Sequence, residues 1–279
     1  MSNLKISILV ENTVGGSLGL IGEWGLAMHL DFGGERILFD TGEQGHLLAN
    51  AQALGIDLRQ IDRIILSHGH YDHTGGLNEL LKFRGPVPIH AHQDLFSAHF
   101  VQGLEGQPYR YIGIPFCVQE LISRGAEFHW HRAPSELRPN LWLSGEIPRT
   151  TSFEQVDSRM VQHSTGDTKP DPILDDLSLF YVSNQGLVIL LGCAHAGLVN
   201  IVEHARQVTG VSQVRAIIGG THLGPASAEQ QEKTIEYLHS LNFSCFAPNH
   251  CTGLPLLTRL AREFPSAFTW SNTGSILEF

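Results

Sequence analysis

The sequence is first narrowed by what it lacks. It has no run of lysine or arginine, and 18 basic against 28 acidic residues leave a formal charge of −10. A nucleic-acid binder held by counterion release needs a basic face, so that class is set aside. The four cysteines, Cys117, Cys193, Cys245 and Cys251, include no CxxC pair and do not make the disulfide framework of a small secreted domain. The longest apolar stretch, 186–202, is broken by Cys193, His195 and Asn200, whereas a membrane-spanning helix wants about 20 consecutive apolar residues. The first ten residues lack the apolar core and cleavage site of a signal peptide and read as a strand, so the cytoplasm is the expected compartment. No glycine cluster fits a phosphate-binding GxGxxG or Walker loop, and no GxSxG elbow supports a serine hydrolase.

What is present points to metal. Sixteen histidines against eighteen lysines and arginines is an unusual ratio. A chain of 279 residues buries about three quarters of its unfolded surface without help, so a metal site here implies function rather than scaffolding. Strand-like runs recur at 5–10, 27–32, 36–39, 63–66, 87–91, 177–182, 187–191, 214–218 and 245–247. Helical spacing joins Leu198, Ile201, Val202, Ala205 and Val208, with Gly210 as the stop. Ser227 and Gln230 read as a capping box ahead of Ile235, Leu238 and Leu241, and Leu47, Leu48, Ala51 and Leu54 mark a weaker helix. The alternation gives an α/β or α+β class with room for two layers of sheet. Residues 96–176 are rich in glycine and proline and weakly periodic, and are expected as an irregular insertion over the site within one domain, 1–279.

The decisive segment is His68-Gly69-His70-Tyr71-Asp72-His73, directly after the apolar run Ile64-Ile65-Leu66. In extended or looping backbone, residues two apart point the same way, so His68 and His70 can reach one cation while Asp72 and His73 turn towards a second. Gly69, Gly75 and Gly76 allow the tight path this needs.

This HxHxDH run resembles the signature of the metallo-β-lactamase superfamily. Phe39-Asp40-Thr41-Gly42 precedes it, and Gly192-Cys193-Ala194-His195-Ala196-Gly197, Gly219-Gly220-Thr221-His222-Leu223 and Asn249-His250-Cys251-Thr252-Gly253 follow. The set is similar to a subfamily of metal-dependent hydrolases that includes archaeal dihydropterin–ribofuranosylaminobenzene phosphate synthases. The resemblance implies an α+β fold, a four-layer αββα sandwich, with a two-metal site where the sheets meet. It matches His68 and His70 to the first metal, Asp72, His73 and His250 to the second, and Asp40 to a supporting carboxylate behind the ligands. Where the superfamily has a bridging Asp this chain has Cys193, either a thiolate ligand suited to zinc or iron or a small core residue. The histidine ligand usual before Leu177 is also missing, with Asp175 and Asp176 in its place, and His195 is expected to fill that vacancy. His222 matches the histidine that protonates the leaving group in related phosphodiesterases, so Asp72 and His222 are the expected catalytic groups.

The expected activity is therefore a metal-dependent hydrolase, with two divalent ions supplying hydroxide to an ester. The ions are expected to be zinc, with manganese or iron as alternatives. The substrate is expected to be a small phosphodiester or other phosphate-containing metabolite, with no nucleic acid or membrane partner. The alternative is a transferase of the pterin/ribofuranosylaminobenzene phosphate synthase type on the same metals. His90, His92, His129 and His131 alternate along strand-like runs and are read as structural, surface or substrate-facing residues rather than ligands.

Overall fold

Strands that are apolar on both faces need cover on both faces. In Arg36–Phe39, Ile37 and Phe39 point one way and Leu38 the other. In Gly186–Leu191, Val188 and Leu190 oppose Leu187, Ile189 and Leu191. The computed structural model describes residues 4–16, 19–103, 107–164 and 167–279, and in it this alternation builds four layers. Two sheets bury one set of side chains between them, and helices bury the other sets outside, as the αββα expectation required.

The first sheet runs Ile276–Glu278, Lys5–Val10, Ala27–Asp31, Arg36–Phe39, Arg63–Ile65, Val87–His92, Ala126–His131, and its last four strands are parallel. The helices His46–Ala53, Leu77–Arg84 and Val118–Ser123 supply buried residues on its outer side. The second sheet runs Cys245–Asn249, Val214–Gly220, Gly186–Leu191, Ser178–Ser183, Leu141–Leu143, Ser135–Arg138, with its first three strands parallel. The helices Leu198–Thr209, Ala228–His239 and Leu254–Glu263 cover it. Gly210 closes Leu198–Thr209 in the left-handed conformation that glycine adopts without a Cβ penalty.

Two expectations change in detail. The Ser227 hydroxyl accepts from the Gln230 amide at 3.2 Å, but the Gln230 side chain accepts from the Gln155 amide instead of closing the capping box. The segment 96–176 is more regular than its composition implied. It adds Ala126–His131 to the first sheet and Ser135–Arg138 and Leu141–Leu143 to the second, and it forms a small third sheet. That sheet is ordered Asp167–Pro170, Met160–Ser164, His99–Val101, Arg110–Tyr111. Strands this short, with partly exposed side chains, carry too few residues to show a period.

His29 lies buried in Ala27–Asp31 with its Nε2 unpartnered. Burial lowers its pKa from 6.5 to about 4, and Arg36 and Lys5 reinforce burial against the pull of Asp31. Between those values the unfolded chain binds a proton that the folded chain refuses, so His29 costs stability as pH falls from about 6.5 to about 4, roughly 3 kcal/mol in all. His29→Leu is expected to shrink the loss of unfolding free energy between neutral and mildly acidic pH. Urea titrations at several pH values check this, and parallel pH profiles for the two proteins would contradict it.

Candidate metal centre

The site sits at the carboxyl ends of parallel strands, the crevice where open α/β sheets bind ligands. Asp40 follows Arg36–Phe39, Ser67 and His68 follow Arg63–Ile65, Cys193 follows Gly186–Leu191, His222 follows Val214–Gly220 and His250 follows Cys245–Asn249. Asp40, Ala194, His222 and His250 have φ of 61°, 59°, 48° and 49°, left-handed values that cost a non-glycine residue roughly 1–2 kcal/mol each. Such strain persists only where surrounding contacts over-determine it. The glycines of the ligand loop are needed for close approach, not for positive φ. A Cβ at Gly69, Gly75 or Gly76 would run into the carbonyl of Leu95, Glu43 or Thr41 respectively.

Hydrogen bonds fix which ring nitrogens carry protons. The Asp40 carboxylate accepts from the Ser67 amide and the Ser67 hydroxyl, both at 2.7 Å, and from His73 Nδ1 at 2.7 Å. With its hydrogen committed to Asp40, the Ser67 oxygen accepts from His68 Nδ1 at 2.9 Å. Asn12 Oδ1 already accepts from the Gly25 amide, so it takes the Nδ1 proton of His250 at 3.0 Å. Nε2 of His68, His73 and His250 is therefore a lone pair in each neutral ring.

Those lone pairs converge. His73 Nε2 lies 3.2 Å from His250 Nε2, and Asp72 Oδ2 lies 3.3 Å from His250 Nε2. Three buried acceptors facing one another without a donor need a cation. A proton can serve, since the charges of Asp40 and Asp72 outweigh burial and push His73 up to about 9. Burial alone would raise Asp72, but the facing histidines hold it well below the usual carboxylate range.

A second group lies alongside. His68, His70 and His195 each offer a nitrogen, all within 4.8 Å of one another, and the Asp72 carboxylate oxygen and the nitrogens of His73 and His250 meet the same limit. His68 Nε2 faces His70 Nδ1 at 3.0 Å. Both nitrogens of His195 are buried without a hydrogen-bond partner, a cost of about 1–3 kcal/mol each that a bound ion would remove. Burial and the neighbouring imidazoles push His68 and His195 well below 6.5 and His70 to about 3, leaving them in the neutral form that metal ligation uses. The donors thus fit two adjacent cations.

All seven residues expected as ligands come together. Cys193 Sγ is 3.1 Å from His73 Nε2 and also forms a candidate ligand group with His250 and Cys251. Burial raises its thiol pKa. His222 stacks obliquely on His195 with centroids 4.2 Å apart. Burial lowers its pKa to about 4, so at neutral pH it is uncharged, and donating a proton requires that it first gain one. His92 meets Asp94 and Glu146, but the Asp94 amide and Arg132 already occupy that group. His90 stacks on His129 and bonds His131 at 2.9 Å, apart from the centre.

Sequence reading missed Ser67, Asn12 and Cys251. Glu11, whose carboxylate accepts the His250 amide at 2.9 Å, was missed as well. Their one signal is position, since Glu11-Asn12 and Ser67 are polar residues directly after buried strands.

Known proteins resemble this chain over its whole length. The profile of the Metallo-beta-lactamase superfamily matches residues 26–145. The chain belongs to the metallo-β-lactamase superfamily, whose members bind divalent metals and are mostly metal-dependent hydrolases. It is 31% identical to the 7,8-dihydropterin-6-methyl-4-(β-D-ribofuranosyl)-aminobenzene-5′-phosphate synthase of Methanocaldococcus jannaschii, over 100% of this chain and 98% of the relative. A solved structure of a metal-dependent hydrolase of the β-lactamase superfamily superposes with a TM-score of 0.83 at 26% identity, covering 99% of both chains. A diphosphatase of the PhnP family shares the fold, with a TM-score of 0.56 at 15% identity over 99% of this chain and 97% of that one.

Asp40→Asn keeps an oxygen for Ser67 but presents an amide where His73 needs an acceptor. The expected result is a 10- to 100-fold loss of zinc affinity, read by competition with a chromophoric chelator. Unchanged affinity would show that Asp40 does not orient the ligands.

Proposed function

We propose that this protein is a metal-dependent hydrolase of small phosphate esters, phosphodiesters first among them. The observation that carries this reading is the convergence of two donor sets, His68–His70–His195 and Asp72–His73–His250, beside an open cavity. When bound there, two divalent ions, zinc before manganese or iron, would supply a water of lowered pKa and neutralise charge on the ester. Cys193, which groups with His68 and His73 and also with His250, would serve there as a thiolate ligand.

The chain's own residues would do the rest. The cavity, about 290 Å³, is bordered by His70, Asp72, Cys193, His195 and His222 on the ligand side. Asp72 is positioned to orient the attacking water, and His222 to pass a proton to the departing oxygen. Of the cations lining the cavity, Arg159 is paired with Asp157 at 2.6 Å. Arg110 has no carboxylate partner among the described residues and leans over the Tyr71 ring, 5.5 Å from its centroid. Arg110 is thus the cation available to a substrate phosphate. Half-exposed Trp24, its ring 5.3 Å from that of His250, offers a flat apolar surface beside it. The acidic net charge does not oppose an anionic substrate, because two divalent ions dominate the local field.

A second reading is supported by the full-length similarity to a synthase: the same centre would activate a diphosphate leaving group in a transfer reaction.

The test is a screen of the purified chain with Zn²⁺ or Mn²⁺ against a chelated control, offering an aryl phosphodiester, a phosphomonoester, a lactone and a thioester. Metal-dependent turnover of the phosphodiester is expected, and His68→Ala is expected to abolish it. Turnover of none of the four by metal-loaded protein would reject the hydrolase in favour of the transferase. Arg110→Ala is expected to raise KM for the phosphodiester about tenfold with a smaller change in kcat, the scale of one charge-assisted hydrogen bond. An unchanged KM would remove Arg110 from substrate binding.

A further inference from the structure

The segment before Ser178–Ser183 carries two adjacent carboxylates that belong to neither donor set, yet both are buried, Asp175 to 1% and Asp176 to 2% exposure. Each ends on a backbone amide of a ligand loop. Asp175 Oδ2 accepts from Gly69 N–H at 2.7 Å, the amide between His68 and His70. Asp176 Oδ2 accepts from Ala196 N–H at 2.8 Å, the amide next to His195. The following residue completes the hold: Leu177 N–H donates to the Ser67 carbonyl at 2.8 Å. Three consecutive residues thus grip His68 from both flanking peptides and fix the start of the His195 loop.

This arrangement is expensive unless it does something. A buried carboxylate needs charge or hydrogen-bond partners, and here the partners are supplied from the small third sheet and its surroundings. His99 bonds Asp171 at 2.6 Å and faces Asp175 at 3.6 Å, and its ring meets that of His70 edge-on, with centroids 5.2 Å apart. Arg149, bonded to the carbonyls of Pro172 and Ile173, lies near Asp176. Asp175 Oδ1 and Asp176 Oδ1 remain unpartnered. Packing alone would be served as well by apolar residues, but only an acceptor can hold two ligand-loop amides.

We propose that Asp175 and Asp176 are positioning residues for the His68–His70–His195 set: Asp175 registers the first two ligands and Asp176 registers His195. The assignment rests on the metal reading above. It predicts that damage to either carboxylate falls on one of the two ions and spares the other, because neither Asp175 nor Asp176 bonds the loops that carry His73 and His250, whose rings are held by Asp40 and Asn12.

The experiment is a two-step zinc titration by chelator competition on the full chain, with urea unfolding of the metal-free proteins alongside. The variants are Asp175→Ala, Asp176→Ala and Asp176→Asn, the last keeping an acceptor oxygen of the same shape. Each alanine variant is expected to lose 10- to 100-fold in affinity for one zinc equivalent, with the other unchanged. Asp176→Asn is expected to restore most of that loss. Wild-type affinity for both equivalents in the alanine variants would overturn the proposal. So would an equal fall at both that tracks a lowered unfolding midpoint, the mark of a merely structural role. If the alanine variants do not fold, Asp176→Asn decides: two-zinc binding near wild type supports the proposal, and loss of both ions overturns it. A wild-type chain that takes up no zinc would instead remove the metal reading itself.

Discussion

The arrangement depends on one carboxylate. Asp40 spends its two oxygens on three donors, and those bonds dictate the tautomers of two rings in different donor sets: His73 directly and His68 through the Ser67 hydroxyl. Because neutral imidazole has one proton for two nitrogens, committing Nδ1 leaves Nε2 bare. Remove that commitment and each ring can turn a hydrogen towards its neighbours, and the converging lone pairs become an ordinary buried hydrogen-bonded cluster. The backbone supports this at a cost, with Asp40 itself held at a left-handed φ of 61°. Metal sites in general lean on such supporting partners; here one group serves both donor sets.

Much of the fold was legible because its strands are buried on both faces or strictly alternating. The runs 5–10 and 36–39 match the observed strands residue for residue, and the remaining seven differ by one or two residues at one or both ends. What was not legible lay in 96–176. Short strands such as Arg110–Tyr111 gain their identity from partners elsewhere in the chain, so composition rich in glycine and proline was the only local signal, and it suggested irregular backbone. Ser227 shows the same limit at small scale. Its own bond to the Gln230 amide followed from spacing, but the Gln230 side chain was claimed by Gln155 across a tertiary contact.

At the centre, His68, His70, Asp72 and His73 stood out because a single run of six residues carries them. His195 was legible as a histidine near a strand end, matched to a vacancy implied by the family. Asp175 and Asp176 were visible only as the residues standing in that vacancy. Their function is exercised on backbone amides 106 and 20 residues away, and amides carry no sequence signal. Glu11 and Asn12 are the extreme case, since their partner His250 lies 239 and 238 positions on.

That span has a thermodynamic consequence. The donor atoms come from residues 68 to 250, and the groups orienting them from residues 11 to 176. An unfolded chain keeps only the contiguous run His68–His73 and cannot present the whole donor set, so an ion that binds it favours the native state. Occupancy then adds RT ln(1 + [ion]/Kd) to the free energy of unfolding, about 4 kcal/mol when free ion exceeds Kd a thousandfold. The ordered fraction of the protein becomes a function of free ion concentration. A cell that depletes that ion lowers the folded fraction and, by the same equilibrium, exposes the chain to proteolysis.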